Sequence, residues 1–100
     1  MQTEYLVAVD EFCANHNIDI AFISSLQQTG LIEIHTIEET GFIESDQLRQ
    51  VEKYIRFHYD MDINIEGIET ITHLLQQITS LQSEIILLRN QLRLYESNEE

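Results

Sequence analysis

The sequence predicts a mainly α-helical protein, with a small helical front half that carries a β-hairpin and a long coiled-coil helix behind it. Three observations carry that expectation. The 100 residues include no proline and only three glycines, which leaves little material for turns and favours helix. In the front half, two short amphipathic segments are followed by an alternating one that turns back on itself. Across residues 71–95, isoleucine and leucine recur with a heptad period.

Taken in order, residues 5–8, Tyr-Leu-Val-Ala, read as a short strand or lead-in. From Val9 the pattern turns helical. Val9, Phe12, Cys13 and His16 share one face, and Asp10 and Glu11 sit in the first turn, where the helix dipole favours acids. Asn17 and Ile18 make a turn. Asp19 is an N-cap for a second short helix that buries Phe22, Ile23 and Leu26, and Gly30 closes it. Residues 31–37 alternate as a strand, with Ile32 and Ile34 between polar neighbours. Residues 38–41, Glu-Glu-Thr-Gly, turn the chain and Phe42-Ile43 return it. Helix, turn, helix, hairpin is the winged-helix order.

Ser45 is expected to cap a third helix whose buried stripe is Leu48, Val51, Ile55 and Tyr59. Its other side carries Arg49, Lys53 and Arg56, a patch expected to be solvated and paired with nearby acids. Asn64 opens the last helix, with Ile63 and Ile68 placed as a hydrophobic staple across the cap. The domain boundary is therefore set at 62/63. Residues 1–62 form the winged-helix-like domain with its linking helix, and residues 63–100 form the dimerisation helix, whose acidic tail, 96–100, frays.

Within that helix Ile71, Ile78, Ile85 and Leu92 occupy one heptad position, and Leu74, Leu81, Leu88 and Tyr95 the other. Ile at a with Leu at d is the two-stranded pattern, so these eight residues are the expected homodimer interface. Glu84 at g and Arg89 at e would face one another in a parallel pair.

Charge narrows the partners. The formal net charge is −13, and residues 1–48 hold nine acids and no lysine or arginine. Such a surface repels phosphate backbones and anionic lipid, and attracts basic protein surfaces. DNA is not an expected partner on this ground. The helix that would enter a groove offers Ala21, Phe22, Ser24, Ser25, Gln27 and Gln28, with no base to reach phosphate or guanine. No stretch approaches the ~20 apolar residues of a membrane span, and the first four residues lack a secretory-signal design. With a single cysteine, Cys13, the expected location is the reducing cytoplasm.

No constellation carries catalysis, metal or cofactor chemistry. Cys13 and His16 are two potential ligands without a third, and both fall on the apolar face. Residues 60–64, Asp-Met-Asp-Ile-Asn, imitate the start of a calcium loop. That loop needs glycine and glutamate where this chain has Ile65 and Ile71. His35, His58 and His73 have no nucleophile at a recognisable elbow. The expectation is a non-enzymatic protein.

Several residues carry a family likeness. They are Glu11-Phe12-Cys13, Gly30-Leu31-Ile32-Glu33, Phe42, residues 56–64 (Arg-Phe-His-Tyr-Asp-Met-Asp-Ile-Asn), Gly67-Ile68, and the run Leu88-Arg89-Asn90-Gln91-Leu92. In order and spacing they resemble the MerR superfamily of regulators, and more closely its chaperone modulator CbpM group. Phe42 stands where that group often has Trp, and Ile34 where Pro is frequent. The resemblance implies a MerR-like winged helix-turn-helix, an antiparallel dimer helix, and binding to the J-domain of a DnaJ-like co-chaperone such as CbpA, whose stimulation of DnaK it restrains. A J-domain presents a basic helix, and an acidic competitor would be steered to it. The acids around the hairpin, Glu33, Glu38, Glu39, Glu44 and Asp46, with Phe42 as apolar anchor, are the expected partner-binding residues. A DNA-binding MerR-type transcriptional regulator is the alternative.

Overall fold

The computed structural model describes residues 5–98, so Glu99 and Glu100 of the expected frayed tail, and the first four residues, lie outside the described region. The order is β1 (Leu6–Ala8), α1 (Val9–His16), α2 (Ile20–Gln28), β2 (His35–Ile37) and β3 (Thr40–Glu44). A 3-10 turn (Ser45–Gln47), α3 (Leu48–Ile55), a π turn (Arg56–Asp60) and α4 (Ile65–Asn98) complete it. This is the expected mainly α, MerR-like winged helix with a long C-terminal helix. The backbone divides into two compact units that meet between Glu69 and Thr70.

Local chemistry sets the front-half boundaries. At the end of α1, Asn17 takes a left-handed conformation, and the Asn17 and Ile18 N–H groups donate to the Ala14 and Cys13 carbonyls. Gly30, at φ +84, closes α2 in the same way, with Gly30 N–H to Gln27 O and Leu31 N–H to Leu26 O. Asp19 caps α2, its Oδ1 accepting from Ala21 N at 3.2 Å. At the start of α4, Asn64 Oδ1 accepts from Gly67 N at 2.8 Å. Gly67 is required there: a Cβ would stand 2.7 Å from Ile63 Cγ2 and 3.1 Å from Asn64 Oδ1.

The sheet has three strands in the order β1-β3-β2, all antiparallel, with Val7 opposite Ile43 and Thr36 opposite Gly41. The lead-in is thus a full strand, joined to the far end of β3 through Ser45 N–H to Tyr5 O at 2.8 Å. The core gathers Phe12, Cys13, Phe22, Ile23, Leu26, Ile32, Ile43, Val51, Tyr54 and Ile68, all buried.

Five expectations need correction. The strand expected over residues 31–37 is only His35–Ile37; Ile32 is buried from a bend before it. The turn is Glu38-Glu39 alone, and Gly41 lies inside β3. Ser45 does not cap a helix with its side chain, because its Oγ accepts from Tyr5 N instead. The α3 stripe ends in Tyr54 rather than Tyr59. The π turn, marked by Met61 N–H to Arg56 O, inserts one residue and rotates the residues after it by about 100°. Tyr59 is therefore exposed, while Tyr54 is buried with its hydroxyl 3.2 Å from Gln50 Nε2. Finally, His16 is exposed, stacked on Phe12 and bonded through Nδ1 to Phe12 O at 3.1 Å.

Candidate partner-binding surface

Strand alternation divides the sheet. Val7 and Ile43 point to the core, and the register puts Leu6, Ala8, His35, Ile37, Phe42 and Glu44 on the opposite face. Leu6 and Ile37 are 41% and 49% exposed, and Phe42 is half-buried. The sheet therefore shows an apolar outer strip. Sequence reasoning finds Phe42 as an anchor but misses Leu6 and Ile37, since Leu6 faces outward through pairing with Glu44 some forty residues on, and Ile37 through the register of the two-residue hairpin.

The expected acids surround this strip without forming one cluster. Glu38 and Glu39 hold the tip of the β2–β3 hairpin. Glu44 ends β3, and Asp46 is exposed in the 3-10 turn just beyond it. The two groups are separated by the length of β3, about 13 Å at ~3.3 Å per residue. Glu33 is exposed near the second group. The Gln47 side chain clamps its backbone at both ends, Glu33 N to Oε1 and Nε2 to Glu33 O, each at 2.9 Å. Glu44 is not a lone acid: its Oε2 lies 2.9 Å from His35 Nε2.

The hairpin tip is strained. Ile37 pairs with Thr40, so the loop has two residues, and Glu38 and Glu39 adopt φ 49 and 69. A two-residue turn with both central residues left-handed favours Asn-Gly. An ordinary L-residue there costs roughly 1–2 kcal/mol. Two glutamates at these positions work against the fold.

On α2, Ala21, Gln27 and Gln28 are exposed and Ser24 and Ser25 half-buried; Phe22 is buried, as its place beside Ile23 and Leu26 on the apolar face leads one to expect, and so cannot reach a groove. No basic side chain stands on this helix. On α3 and the π turn, Arg49 and Arg56 are exposed and Lys53 half-buried. Contrary to the expected pairing, none of the three makes an ion pair among the described residues; the pairs present are His35–Glu44 and His16–Glu52.

Within α4 every residue over 73–97 is exposed. Leu74, Ile78, Leu81, Ile85, Leu88, Leu92 and Tyr95 are 47–64% exposed, and Ile71 is half-buried. The seam is continuous on one helix face. Among the described residues no helix is long and apolar enough to cross a membrane. Cys13 is buried, and that burial, with Asp10 and Asp19 nearby, pushes its thiol above the usual range.

A sequence model of the family described as MerR HTH family regulatory protein matches residues 7–90, from the first strand through most of α4. No curated protein and no solved structure matches the chain significantly.

Proposed function

Because the chain belongs to the MerR HTH family of regulatory proteins, we propose that it is a cytoplasmic, non-enzymatic regulator that binds the J-domain of a DnaJ/CbpA-like co-chaperone and inhibits it. One observation carries this reading: the wing places Glu38 and Glu39 where the backbone disfavours them. Strain retained at an exposed turn is a reason to look for a role outside folding. Around those residues stand an apolar strip to desolvate and further acids to steer, which suits a basic protein surface. The resemblance to the chaperone modulator CbpM group supplies the identity of that surface.

The same chain is proposed to be a homodimer through Ile71, Leu74, Ile78, Leu81, Ile85, Leu88, Leu92 and Tyr95. Dimerisation would cover the apolar seam and present two wings.

The test is a calorimetric titration of a J-domain against wild type and against Glu38→Lys/Glu39→Lys/Glu44→Lys at two salt concentrations. The expected result is weaker binding by the variant and loss of wild-type affinity as salt rises. Exposed pairs contribute only about 0.2–1 kcal/mol each, so the loss is shared among the acids. Equal, salt-independent binding by both proteins would remove the wing from the interface. The DNA-binding alternative rests on Arg49, Lys53 and Arg56. Sub-micromolar, sequence-selective duplex binding at low salt, abolished by replacing those three, would establish it.

A further inference from the structure

A cleft of about 370 Å³ lies where α2 meets the π turn, lined by Asp19, Phe22, Ser25, His58, Tyr59 and Ile65. The π turn builds it. His58 stacks on Phe22 with ring centroids 4.5 Å apart, and Tyr59 meets Phe22 edge-on at 5.5 Å and His58 at 4.8 Å. A regular α-helix through 56–60 would not present both rings to α2.

The polar atoms around these rings are mostly acceptors. His58 Nδ1 is 2.9 Å from Ile63 O, so in the neutral ring it carries the proton and leaves Nε2 as an acceptor. Asp19 uses Oδ1 on Ala21 N, and Oδ2 has no protein partner among the described residues. Tyr59 Oη accepts from Asp19 N at 3.2 Å and retains a second lone pair. The cleft also lies at the start of α2, a place that ordinarily favours anions. Here two of those donors are already engaged: Ala21 N–H by the Asp19 carboxylate and Phe22 N–H by the Asp19 carbonyl at 3.0 Å. Beside the rings stands a carboxylate, which disfavours an anion there. Arg56, on the same turn, makes no ion pair with Asp19.

We infer that this cleft receives an arginine side chain of a basic protein partner, its guanidinium against the exposed Tyr59 ring and the half-buried His58 ring that covers Phe22, and its N–H groups directed to Asp19 and His58. A guanidinium is planar, stacks on aromatic faces and offers five donors in a fixed fork, which matches several acceptors around a ring cluster. A lysine ammonium is a compact, strongly hydrated charge and matches less well. The complete lack of basic residues before Arg49 gives the arginine no competitor from the helices that form the cleft's other wall. In identifying the source of that arginine as a J-domain, the inference rests on the role proposed above; the cleft itself does not.

The experiment has two arms. In the first, amide ¹H–¹⁵N spectra of the full chain are recorded during titration with N-acetyl-arginine amide and, separately, N-acetyl-lysine amide. Saturable shifts at Ala21, Phe22, Ser25, His58 and Tyr59 are expected with arginine, and weaker ones with lysine. Asp19→Asn keeps an N-cap of equal rank, so the fold's spectrum persists while the arginine shifts are lost. Absence of saturable shifts, equal response to lysine, or an unchanged response in Asp19→Asn overturns the inference. In the second arm a J-domain is titrated against wild type and Asp19→Asn, with about a tenfold loss of affinity expected for one charged hydrogen bond. Unchanged affinity in Asp19→Asn overturns the cleft as a J-domain contact and leaves the wing reading standing. If wild type binds no J-domain, the wing reading falls and the amide titration alone decides the cleft.

Discussion

Ile68 and Ile78 are the same residue on the same helix, ten positions apart. Ile68 is fully buried, and Ile78 is 49% exposed. The first belongs to the unit that ends at Glu69, where two helices, a three-stranded sheet and α3 supply a core. The second belongs to the unit beginning at Thr70, a single helix with an unpaired apolar face. A hydrophobic residue is stabilising only where other atoms exclude water from it. The front unit carries its own stabilisation. The rear helix leaves its apolar face exposed over 73–97, and its heptad spacing suits the proposed pairing with a copy of itself.

That contrast can be broken most forcefully in the rear unit. Leu81→Asp/Leu88→Asp would place two charges in the seam, a cost of several kcal/mol. The variant is expected to be a monomer by light scattering at micromolar concentration, where the proposal requires a wild-type dimer, while the front-unit core stays folded. A monomeric wild type at that concentration would contradict the seam.

A paired substitution sharpens the comparison. Ile68→Ala is expected to destabilise the front unit by about 2–5 kcal/mol, the usual range for emptying a buried isoleucine site. Ile78→Ala should leave front-unit unfolding unchanged and weaken self-association. Denaturant unfolding followed through the buried Tyr54, alongside sedimentation, separates the two. Equal effects of both changes on front-unit stability would erase the distinction.

The smallest effect lies at Cys13. Its folded thiol pKa is raised, so its contribution is complete below the unfolded value of about 8.5 and is lost as pH rises through the folded value. Wild-type stability should therefore slope downward above that pH relative to Cys13→Ala. Alkylation of the native protein should also lag that of the unfolded chain. Rapid alkylation under native conditions would place Cys13 at the surface instead.

Most of the fold is legible in the sequence because its boundaries are local. The Asn17 and Gly30 closures, the Asp19 cap and the Asn64 cap each involve residues within a few positions of one another. The departures are of two kinds, distant pairing and a broken period. Ser45 has the neighbours of a cap, but its Oγ bonds to Tyr5, forty residues away. Tyr59 falls on the buried stripe only if a regular 3.6-residue period extends through the π turn, whereas Tyr54, three residues after Val51 in regular α3, lies on that stripe before the turn begins. At the wing, the acids are visible as composition. The apolar strip is not, because Leu6 and Ile37 face outward only in a register set by β3. The turn strain is hidden too, since glutamates at 38 and 39 look ordinary until the loop is known to have two residues.

Glu38 and Glu39 are proposed to serve a partner at the expense of the fold, and one variant tests this on a single sample. Glu38→Asn/Glu39→Gly installs the pair that this turn geometry favours. Unfolding and J-domain affinity are then measured together. A stability gain of roughly 1–2 kcal/mol is expected, from relief of left-handed strain, together with weaker J-domain binding. A more stable protein that binds the J-domain as tightly as wild type would contradict it.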